Sequence, residues 1–209
     1  EGEKKTSYKT KNIVIATGSK ASSLPGITID EKNIVSSTEA LSFKKVPKNL
    51  VVIGGGYIGL EMGSVWSRLG SEVTVLEYLD HITPGMDKDI SSEFLKILTK
   101  QGIKFKLKSK VISIKNLGNQ VEIIFENNES LKKEKIIADK ALVSVGRKPY
   151  TEGLNLTKVG VNKNKQGKIN VNKKLQTSVN NIYAIGDVIE GPMLAHKAEE
   201  EGIAVAEIK

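Results

Sequence analysis

The chain has no cysteine and only two histidines, His81 and His196, among its 209 residues. The absence of cysteine excludes disulfide scaffolds, cysteine zinc sites and thiol chemistry within this chain. Two isolated histidines are also too few for a histidine metal cluster. We therefore predict no metal site.

Long apolar runs are absent too, since no stretch approaches the roughly 18 residues of a membrane span. The longest runs, such as residues 50–53 (LVVI), have the length of a strand. The first residue is not methionine, and no signal-peptide pattern follows it. We expect a chain that has no membrane partner and that is a piece cut from a longer polypeptide.

Arginine is scarce. The formal net charge is +8, but the chain has only two arginines, Arg68 and Arg147. Arginine is the side chain best suited to bidentate recognition of phosphates and base edges. The lysines are spread from Lys4 to Lys209 and often stand beside acids. This pattern favours a solvated, lysine-rich surface over a nucleic-acid site.

Apolar residues divide the chain into three zones: residues 1–35, 36–149 and 150–209. The middle zone predicts an α/β fold of the Rossmann-like FAD/NAD(P)-binding type, with a central parallel sheet and an antiparallel β-meander insertion. Its predicted strands are residues 50–53, 72–78 and 141–146, its helices are 57–69 and one from Ile90 to Leu98, and its meander is 110–115, 120–125 and 136–137.

Each outer zone holds one short apolar run, at residues 12–16 and 181–185. Neither run can build a sheet alone. We therefore expect the two runs to pair with each other, as parts of a second domain. A helix is predicted after the second run, at residues 195–208.

The predicted strand at residues 50–53 leads into a Gly-x-Gly-x-x-Gly pattern and then a helix. Gly54 permits a tight turn, Gly56 lets the backbone approach a pyrophosphate, and Gly59 permits close packing of the helix on the strand. Backbone N–H groups at the helix start, together with the helix dipole, favour phosphate. The pattern predicts a dinucleotide site at Gly54-Gly55-Gly56-Tyr57-Ile58-Gly59.

Glu77 stands at the end of the second predicted strand. A carboxylate there can accept both hydroxyls of the adenosine ribose, and it repels the 2′-phosphate of NADP. The next residues are Tyr78, Leu79 and Asp80, so no arginine is at hand to receive that phosphate. Glu77 therefore predicts NAD rather than NADP.

With these residues in view, the chain resembles the pyridine nucleotide–disulfide oxidoreductases and, within them, the dihydrolipoyl dehydrogenases. The similarity covers nearly the whole chain. It is carried by residues 15–19 (IATGS), 51–77 (VVIGGGYIGLEMGSVWSRLGSEVTVLE), 143–149 (VSVGRKP), 177–178 (TS), 182–187 (IYAIGD) and 192–202 (PMLAHKAEEEG).

The resemblance implies roles toward NAD for several positions. The glycine turn would hold the pyrophosphate, with Tyr57 and Ile58 lining the cofactor path, and Glu77 would hold the adenosine ribose. Val111 would touch adenine, Gly146 would lie near the nicotinamide, and Glu61 would lie near the nicotinamide–flavin contact.

The resemblance also implies contacts with FAD. Thr17, Gly18 and Gly186 would contact this cofactor, and Asp187 would bond its ribityl chain. A loop at a helix N-terminus would stabilise negative charge on the flavin through its backbone; its residues are Met193, Leu194, Ala195 and His196.

Three parts of the resembled family have no match in the 209 residues: the FAD glycine turn, the redox-active CxxxxC pair and the interface domain with its His-Glu pair. We therefore expect residues 1–35 and 150–209 to be two segments of an FAD domain, and residues 36–149 to be a complete NAD-binding domain. We expect no catalytic residue here, weak binding of NAD or NADH, poor binding of FAD and no lipoamide activity.

The resemblance implies a homodimeric parent enzyme that serves a lipoyl-bearing 2-oxo acid dehydrogenase complex. It would oxidise dihydrolipoamide and pass electrons through a disulfide and FAD to NAD. The expected location is the cytoplasm of a bacterium, and the alternative is the mitochondrial matrix.

Other readings of the sequence stay open. The parent could be another FAD-dependent disulfide reductase or an NADH oxidase. A short-chain dehydrogenase needs a tyrosine with a lysine four places on, which no tyrosine here has. An NAD sensor that binds nucleic acid needs a helix-turn-helix module, and no segment predicts one.

Overall fold

Twelve β-strands, four α-helices and two short 3₁₀ helices form the part of the chain that the computed structural model describes, residues 6–208. The strands are β1 (Ile13–Ile15), β2 (Ser19–Ala21), β3 (Ile34–Val35), β4 (Asn49–Ile53), β5 (Glu72–Leu76), β6 (Lys104–Lys106), β7 (Ser109–Asn116), β8 (Val121–Asn127), β9 (Lys133–Ala138), β10 (Lys140–Val143), β11 (Arg147–Pro149) and β12 (Ile182–Ala184). The α-helices are α1 (Ser37–Ala40), α2 (Tyr57–Arg68), α3 (Lys88–Lys100) and α4 (Ala195–Ile208), and the 3₁₀ helices are Leu156–Val159 and Gly186–Val188.

These elements form two compact units. The larger unit is Ala21–Gly146, and the smaller unit combines residues 6–20 with residues 147–208. Residues 21–35 lie in the larger unit, whereas the sequence pattern groups them with the first zone. The reason is that Ile34 and Val35 pair with β10, a contact between distant parts of the chain.

A five-stranded parallel sheet forms the centre of the larger unit, in the order β3-β10-β4-β5-β6. Its strand β4 is buried from Leu50 to Ile53. Leu50 and Val52 pack in a core with residues of α2 and α3, whereas Val51 and Ile53 pack in a second core with residues of β8. The strand is continuously apolar because both faces of the sheet are covered.

The second cover is a three-stranded antiparallel meander, β7-β8-β9. In β8 the buried side chains alternate along the strand, at Val121, Ile123 and Phe125. This period of two is typical of a sheet with one buried face. The structure thus confirms the predicted α/β fold, with its parallel sheet and its meander.

In the smaller unit, β1 and β12 pair in parallel, with Ile13 opposite Ile182 and Ile15 opposite Ala184. This register confirms that the two short apolar runs pair with each other. Ile13 and Val14 nevertheless remain 44% and 46% exposed. Two strands alone cannot cover their own side chains.

Strand β6 is an element that the sequence pattern did not predict. Its sequence is Lys104-Phe105-Lys106, and it lies at the edge of the parallel sheet. Lysines are common on edge strands, where they discourage pairing with other chains. The strand has only one apolar residue, between two lysines, so no apolar run in the sequence predicts it.

Trp66 has helical spacing with other apolar residues, and the structure places it in the core, where its ring lies 5.1 Å from that of Phe43. Among residues 6–208, no helix is both long enough and apolar enough to cross a membrane. In the same range, no group of three or more His, Cys, Asp or Glu side chains is placed to hold a metal ion.

Candidate functional site

The glycine turn between β4 and α2 is built by close backbone packing. Gly54 has φ +103°, and a Cβ there would lie 2.5 Å from the carbonyl oxygen of Ser144. A Cβ on Gly59 would lie 2.4 Å from the Gly54 carbonyl oxygen and 2.5 Å from Ser144 Oγ. No larger residue fits at either position without displacing the backbone. The tight turn and the close helix packing expected from the sequence are both present.

Gly56 differs from Gly54 and Gly59, because no heavy atom outside Gly56 and its two chain neighbours lies within 4 Å of the position that its Cβ would occupy. It is the N-cap residue of α2, and no side chain caps that end of the helix. Tyr57 is exposed and Ile58 half-buried in the following turn. The open space at Gly56 and the uncapped N–H groups of the helix form a cradle that fits a phosphate.

Glu77 follows β5 and is 7% exposed. Its Oε2 accepts a hydrogen bond from the Gly55 N–H at 2.5 Å, and its Oε1 accepts one from the Leu79 N–H at 2.8 Å. A buried carboxylate needs such donors, since an unpaired buried charge is costly. Glu77 is therefore part of the glycine turn itself. Each of its oxygens keeps a second lone-pair direction for a ligand hydroxyl.

Two further residues support the turn, and the sequence analysis missed both. The Ser144 hydroxyl donates to the Ile53 carbonyl at 3.0 Å, and the Thr83 N–H donates to the Gly55 carbonyl at 2.8 Å. Ser144 lies in the stretch 143–149 that carries the family resemblance, so that resemblance could have pointed to it. Thr83 acts through its backbone, and no side-chain pattern could have revealed it.

Charged groups border the loop that follows Glu77. The hydrogen bond from His81 lowers the pKa of the Asp80 carboxyl. Lys108 donates a backbone hydrogen bond to the Leu79 carbonyl, and its ammonium lies 2.6 Å from Glu129. That hydrogen bond to Glu129 raises the pKa of Lys108. The lysine beside this loop is therefore already paired with an acid.

Three other residues expected to line an NAD site also lie in the larger unit. Glu61 is exposed on α2. Val111, on β7, is half-buried and packs against the core on the meander side of the sheet. Gly146 is exposed after β10, with φ +107°. The roles of these residues toward a ligand stay predictions.

The positions expected to contact FAD lie in the smaller unit, where a chain of hydrogen bonds reaches Asp187. The Ser19 hydroxyl donates to Asp187 Oδ2 at 2.5 Å, and it accepts a bond from Arg147 Nε at 2.7 Å. Thr17 donates to the Tyr150 carbonyl at 2.6 Å. Asp187 Oδ1 has no such bond among the described residues, so it is free to accept a ligand hydroxyl.

The turn at Gly186 is held by helix α4. Gly186 has φ +74°, and its N–H donates to Glu201 Oε2 at 2.7 Å. Lys197 pairs with Glu201 Oε1 at 2.6 Å, and the pair is mostly buried. The sequence analysis missed these partners, although the spacing of four residues places both on one face of a helix.

The loop before α4 contains the remaining expected positions. Met193 is half-buried, while Leu194, Ala195 and His196 are exposed. Ala195 is the first residue of the helix. The expected flavin contact of this loop stays a prediction, and the exposed His196 side chain makes no hydrogen bond or ion pair with any of residues 6–208.

Comparison with known proteins shows which family the chain belongs to. Residues 1–202 match the family described as pyridine nucleotide-disulphide oxidoreductase. Over 207 residues the chain is 58% identical to leghemoglobin reductase of Glycine max and 57% identical to mitochondrial dihydrolipoyl dehydrogenase of Pisum sativum. These alignments cover 99% of this chain but only 39% and 41% of those proteins.

Solved structures agree in fold. The Cu(II) complex of the HOCl-induced flavoprotein disulfide reductase RclA from Escherichia coli has a TM-score of 0.85 and 31% identity, covering 95% of this chain and 45% of that one. LpdA from Mycobacterium tuberculosis has a TM-score of 0.83 and 26% identity, covering 94% of this chain and 42% of that one.

Proposed function

Since the chain belongs to the pyridine nucleotide-disulphide oxidoreductase family, we propose that it is the NAD-binding portion of a dihydrolipoyl dehydrogenase. This proposal rests on the glycine turn, where the open space at Gly56 is next to Gly55, whose N–H donates to the buried carboxylate of Glu77. Phosphate would sit against the uncapped start of α2, and the ribose would sit beside Glu77.

The charges around Glu77 support NAD over NADP. A 2′-phosphate would meet the carboxylate of Glu77, with Asp80 close by in the same loop. Lys108 is held by Glu129, and Arg147 donates to Ser19, so neither cation is free to receive that phosphate. The other arginine, Arg68, lies at the far end of α2 from the glycine turn.

Calorimetry with NADH and NADPH tests the proposal. We expect NADH to bind at least about tenfold more tightly, because placing the 2′-phosphate against a like charge costs more than about 1.4 kcal/mol. E77Q should weaken NADH binding and reduce the preference. The matched control is E72Q, because Glu72 is an exposed acid at the start of the strand that precedes Glu77, and its carboxylate pairs with Lys104. Tighter binding of NADPH, or no binding of NADH, would contradict the proposal.

Glu77 has two roles to separate, because it holds Gly55 and Leu79 as well as facing the ribose. A NADH analogue that lacks the adenosine 2′-hydroxyl distinguishes them. If the carboxylate accepts that hydroxyl, the wild-type chain prefers NADH to the analogue and E77Q does not. Equal losses for both ligands in E77Q would leave Glu77 as a support of the turn only.

The smaller unit fits a segment of an FAD-binding domain in this proposal. Asp187, with Oδ1 free and Oδ2 bonded to Ser19, would accept a hydroxyl of the ribityl chain. Gly186, Thr17 and Gly18 would lie along the same cofactor, and the loop from Met193 to His196 would meet the flavin through its backbone. When bound, FAD would supply a relay for electrons from a thiolate to a nicotinamide. The residues of this chain would hold and orient the dinucleotides.

The substrate and the partner follow from the relatives. The chain spans about two-fifths of the curated relatives that it matches, so the activity of the whole protein is part of the proposal. That activity is oxidation of dihydrolipoamide with NAD as acceptor, by a homodimer that serves a lipoyl-bearing 2-oxo acid dehydrogenase complex. The relatives from Pisum sativum and Arabidopsis thaliana are named mitochondrial, which favours the mitochondrial alternative over a bacterial cytoplasm.

A second candidate is another FAD-dependent disulfide reductase. It is favoured by the close fold of RclA, at 31% identity. The higher identity to dihydrolipoyl dehydrogenases supports the first candidate. An assay of the full-length protein with dihydrolipoamide and NAD decides between them, and activity with another disulfide alone would favour the second.

A further inference from the structure

Thr83 has an unusual backbone conformation for its residue type. Its φ is +49°, in the left-handed region. A β-branched residue rarely adopts this region, because its side chain clashes with the backbone there. The surrounding structure must therefore enforce the conformation.

Two contacts hold Thr83 in place. Its hydroxyl lies 2.8 Å from the hydroxyl of Ser91, which is 1% exposed at the start of α3. The preceding residue, Ile82, is fully buried in the core on the helix side of the sheet. Thr83 is thus fastened between α3 and the core, and its N–H points to the Gly55 carbonyl at 2.8 Å.

The glycine turn needs this support because its peptides can rotate easily. Three consecutive glycines, Gly54 to Gly56, have few steric limits on φ and ψ. The peptide between Gly54 and Gly55 is held by Glu77, which accepts the Gly55 N–H. The peptide between Gly55 and Gly56 is held at its carbonyl by Thr83.

Holding that carbonyl also directs the amide on the other side of the peptide. In a trans peptide the carbonyl of one residue and the N–H of the next point in opposite directions. The Gly56 N–H therefore points away from Thr83, and it has no acceptor among residues 6–208. The space beside Gly56 is also open, since no heavy atom outside Gly56 and its two chain neighbours lies within 4 Å of a Cβ built there.

We propose that Thr83 is a positioning residue of the dinucleotide site, whose backbone N–H aims the Gly56 N–H at the pyrophosphate. The inference rests on the proposed NAD binding and deepens it. Thr83 keeps this left-handed conformation while its N–H bonds the Gly55 carbonyl.

An amide-to-ester replacement tests the proposal directly. Incorporating the α-hydroxy analogue of threonine at position 83 removes the one N–H and keeps the side chain. The matched control is the same replacement at Leu117, whose N–H donates to the Gln120 carbonyl in a meander turn. Each variant of the chain is titrated with NADH by calorimetry and with adenosine by NMR.

We expect the ester at position 83 to weaken NADH binding about three- to tenfold, as loss of one aimed hydrogen bond implies. Adenosine has no phosphate, so its affinity should stay within about twofold. The ester at Leu117 should change neither ligand. Unchanged NADH affinity, or equal losses for NADH and adenosine, would overturn the inference while leaving NAD binding intact. Failure of the wild-type chain to bind NADH would overturn both proposals.

A pair of side-chain variants keeps the test valid if the ester does not fold. T83A removes the bond to Ser91 and should weaken NADH binding more than adenosine binding. T83S keeps the hydroxyl and should restore NADH affinity. Equal affinity of T83A and T83S for NADH would contradict the role of Thr83.

Discussion

The two units use the same local arrangement with different support. In each, a short apolar strand ends at a glycine with positive φ, at Gly54 after β4 and at Gly186 after β12. In each, a glutamate accepts a backbone N–H of the turn. In the larger unit this is Glu77, which follows the neighbouring strand β5, and in the smaller unit it is Glu201 from helix α4.

The units differ in how far their strands are buried. Val52 of β4 is 0% exposed, whereas Val14 of β1 is 46% exposed. Both are valines in short apolar strands, and their sequence contexts look alike. A five-stranded sheet covered on both faces buries its middle strand, and a two-stranded ladder does not. Burial is therefore a property of the sheet and not of the strand.

The largest expected effect is that of G59A. The added Cβ would lie 2.4 Å from the Gly54 carbonyl oxygen and 2.9 Å from Val52 Cγ1, so we expect a loss of about 3 kcal/mol in stability. The counterpart in the smaller unit is G202A, where the nearest atom is 3.7 Å away and a helix gains from alanine. G202A should be neutral or more stable. Urea unfolding measures both, and equal destabilisation would contradict the packing argument.

A change from valine to alanine at the paired positions tests the difference in burial. V52A should cost about 2 kcal/mol, because it removes buried methyl groups and leaves a cavity. V14A should cost less than about 0.5 kcal/mol, because the side chain is already half in water. Unfolding curves in urea for the two variants provide the comparison. A V14A cost similar to that of V52A would show that β1 is covered in solution.

The glutamate of the smaller unit gives a smaller effect. E201Q should weaken the hold on the Gly186 N–H by about 1 kcal/mol, since a charge-assisted bond becomes neutral and Lys197 loses its partner. Hydrogen exchange at Gly186 should therefore become faster. The control is E200Q on the same helix, where Glu200 is exposed. An unchanged exchange rate in E201Q would mean that the bond does not hold the turn.

The smallest effect is expected for the stability of the chain at low pH. Burial acts to raise the pKa of Asp30, but hydrogen bonds from the N–H groups of Ile34, Lys32 and Asn33 and from the Asn116 side chain together lower it. A lowered folded-state pKa means that this stabilisation is present above the usual value of 3.8 and is lost as pH falls below it. The opposing causes keep the net effect small.

Unfolding free energies between about pH 5 and pH 3 check this prediction. The wild-type chain should lose more stability over that range than D30N, which has no carboxyl at position 30 to protonate. The control is E207Q in the smaller unit, which should follow the wild-type profile. An equal loss of stability in D30N would show that Asp30 does not cause the loss of stability in acid.

Much of the larger unit could be predicted from its sequence. The apolar run at 50–53, the glycine pattern and the helical spacing after it predict β4, the turn and α2 almost to the residue. Helix α4 of the smaller unit was predicted equally well, whereas only residues 136–137 of β9 (Lys133–Ala138) were predicted in the meander. These elements can be predicted because hydrophobic periodicity and turn residues are properties of the local sequence.

Other parts could not be predicted because their partners are distant in the chain. Strand β3 has two residues, and only its pairing with β10 makes it a strand. Glu77 was located by its place after a strand, but its bonds to Gly55 and Leu79 were not. Thr83 contributes through a backbone N–H, which every residue except proline possesses.

The sequence by itself determined strand β4, helix α2, strand β5, the glycine pattern from Gly54 to Gly59 and the place of the acid Glu77 after a strand. Only the tertiary structure decided which strands are buried and which backbone groups hold the turn. Hydrophobic periodicity and residue type can be read directly from the sequence. The burial of Val52 and the direction of the Gly56 N–H depend on atoms from segments that are distant in the sequence.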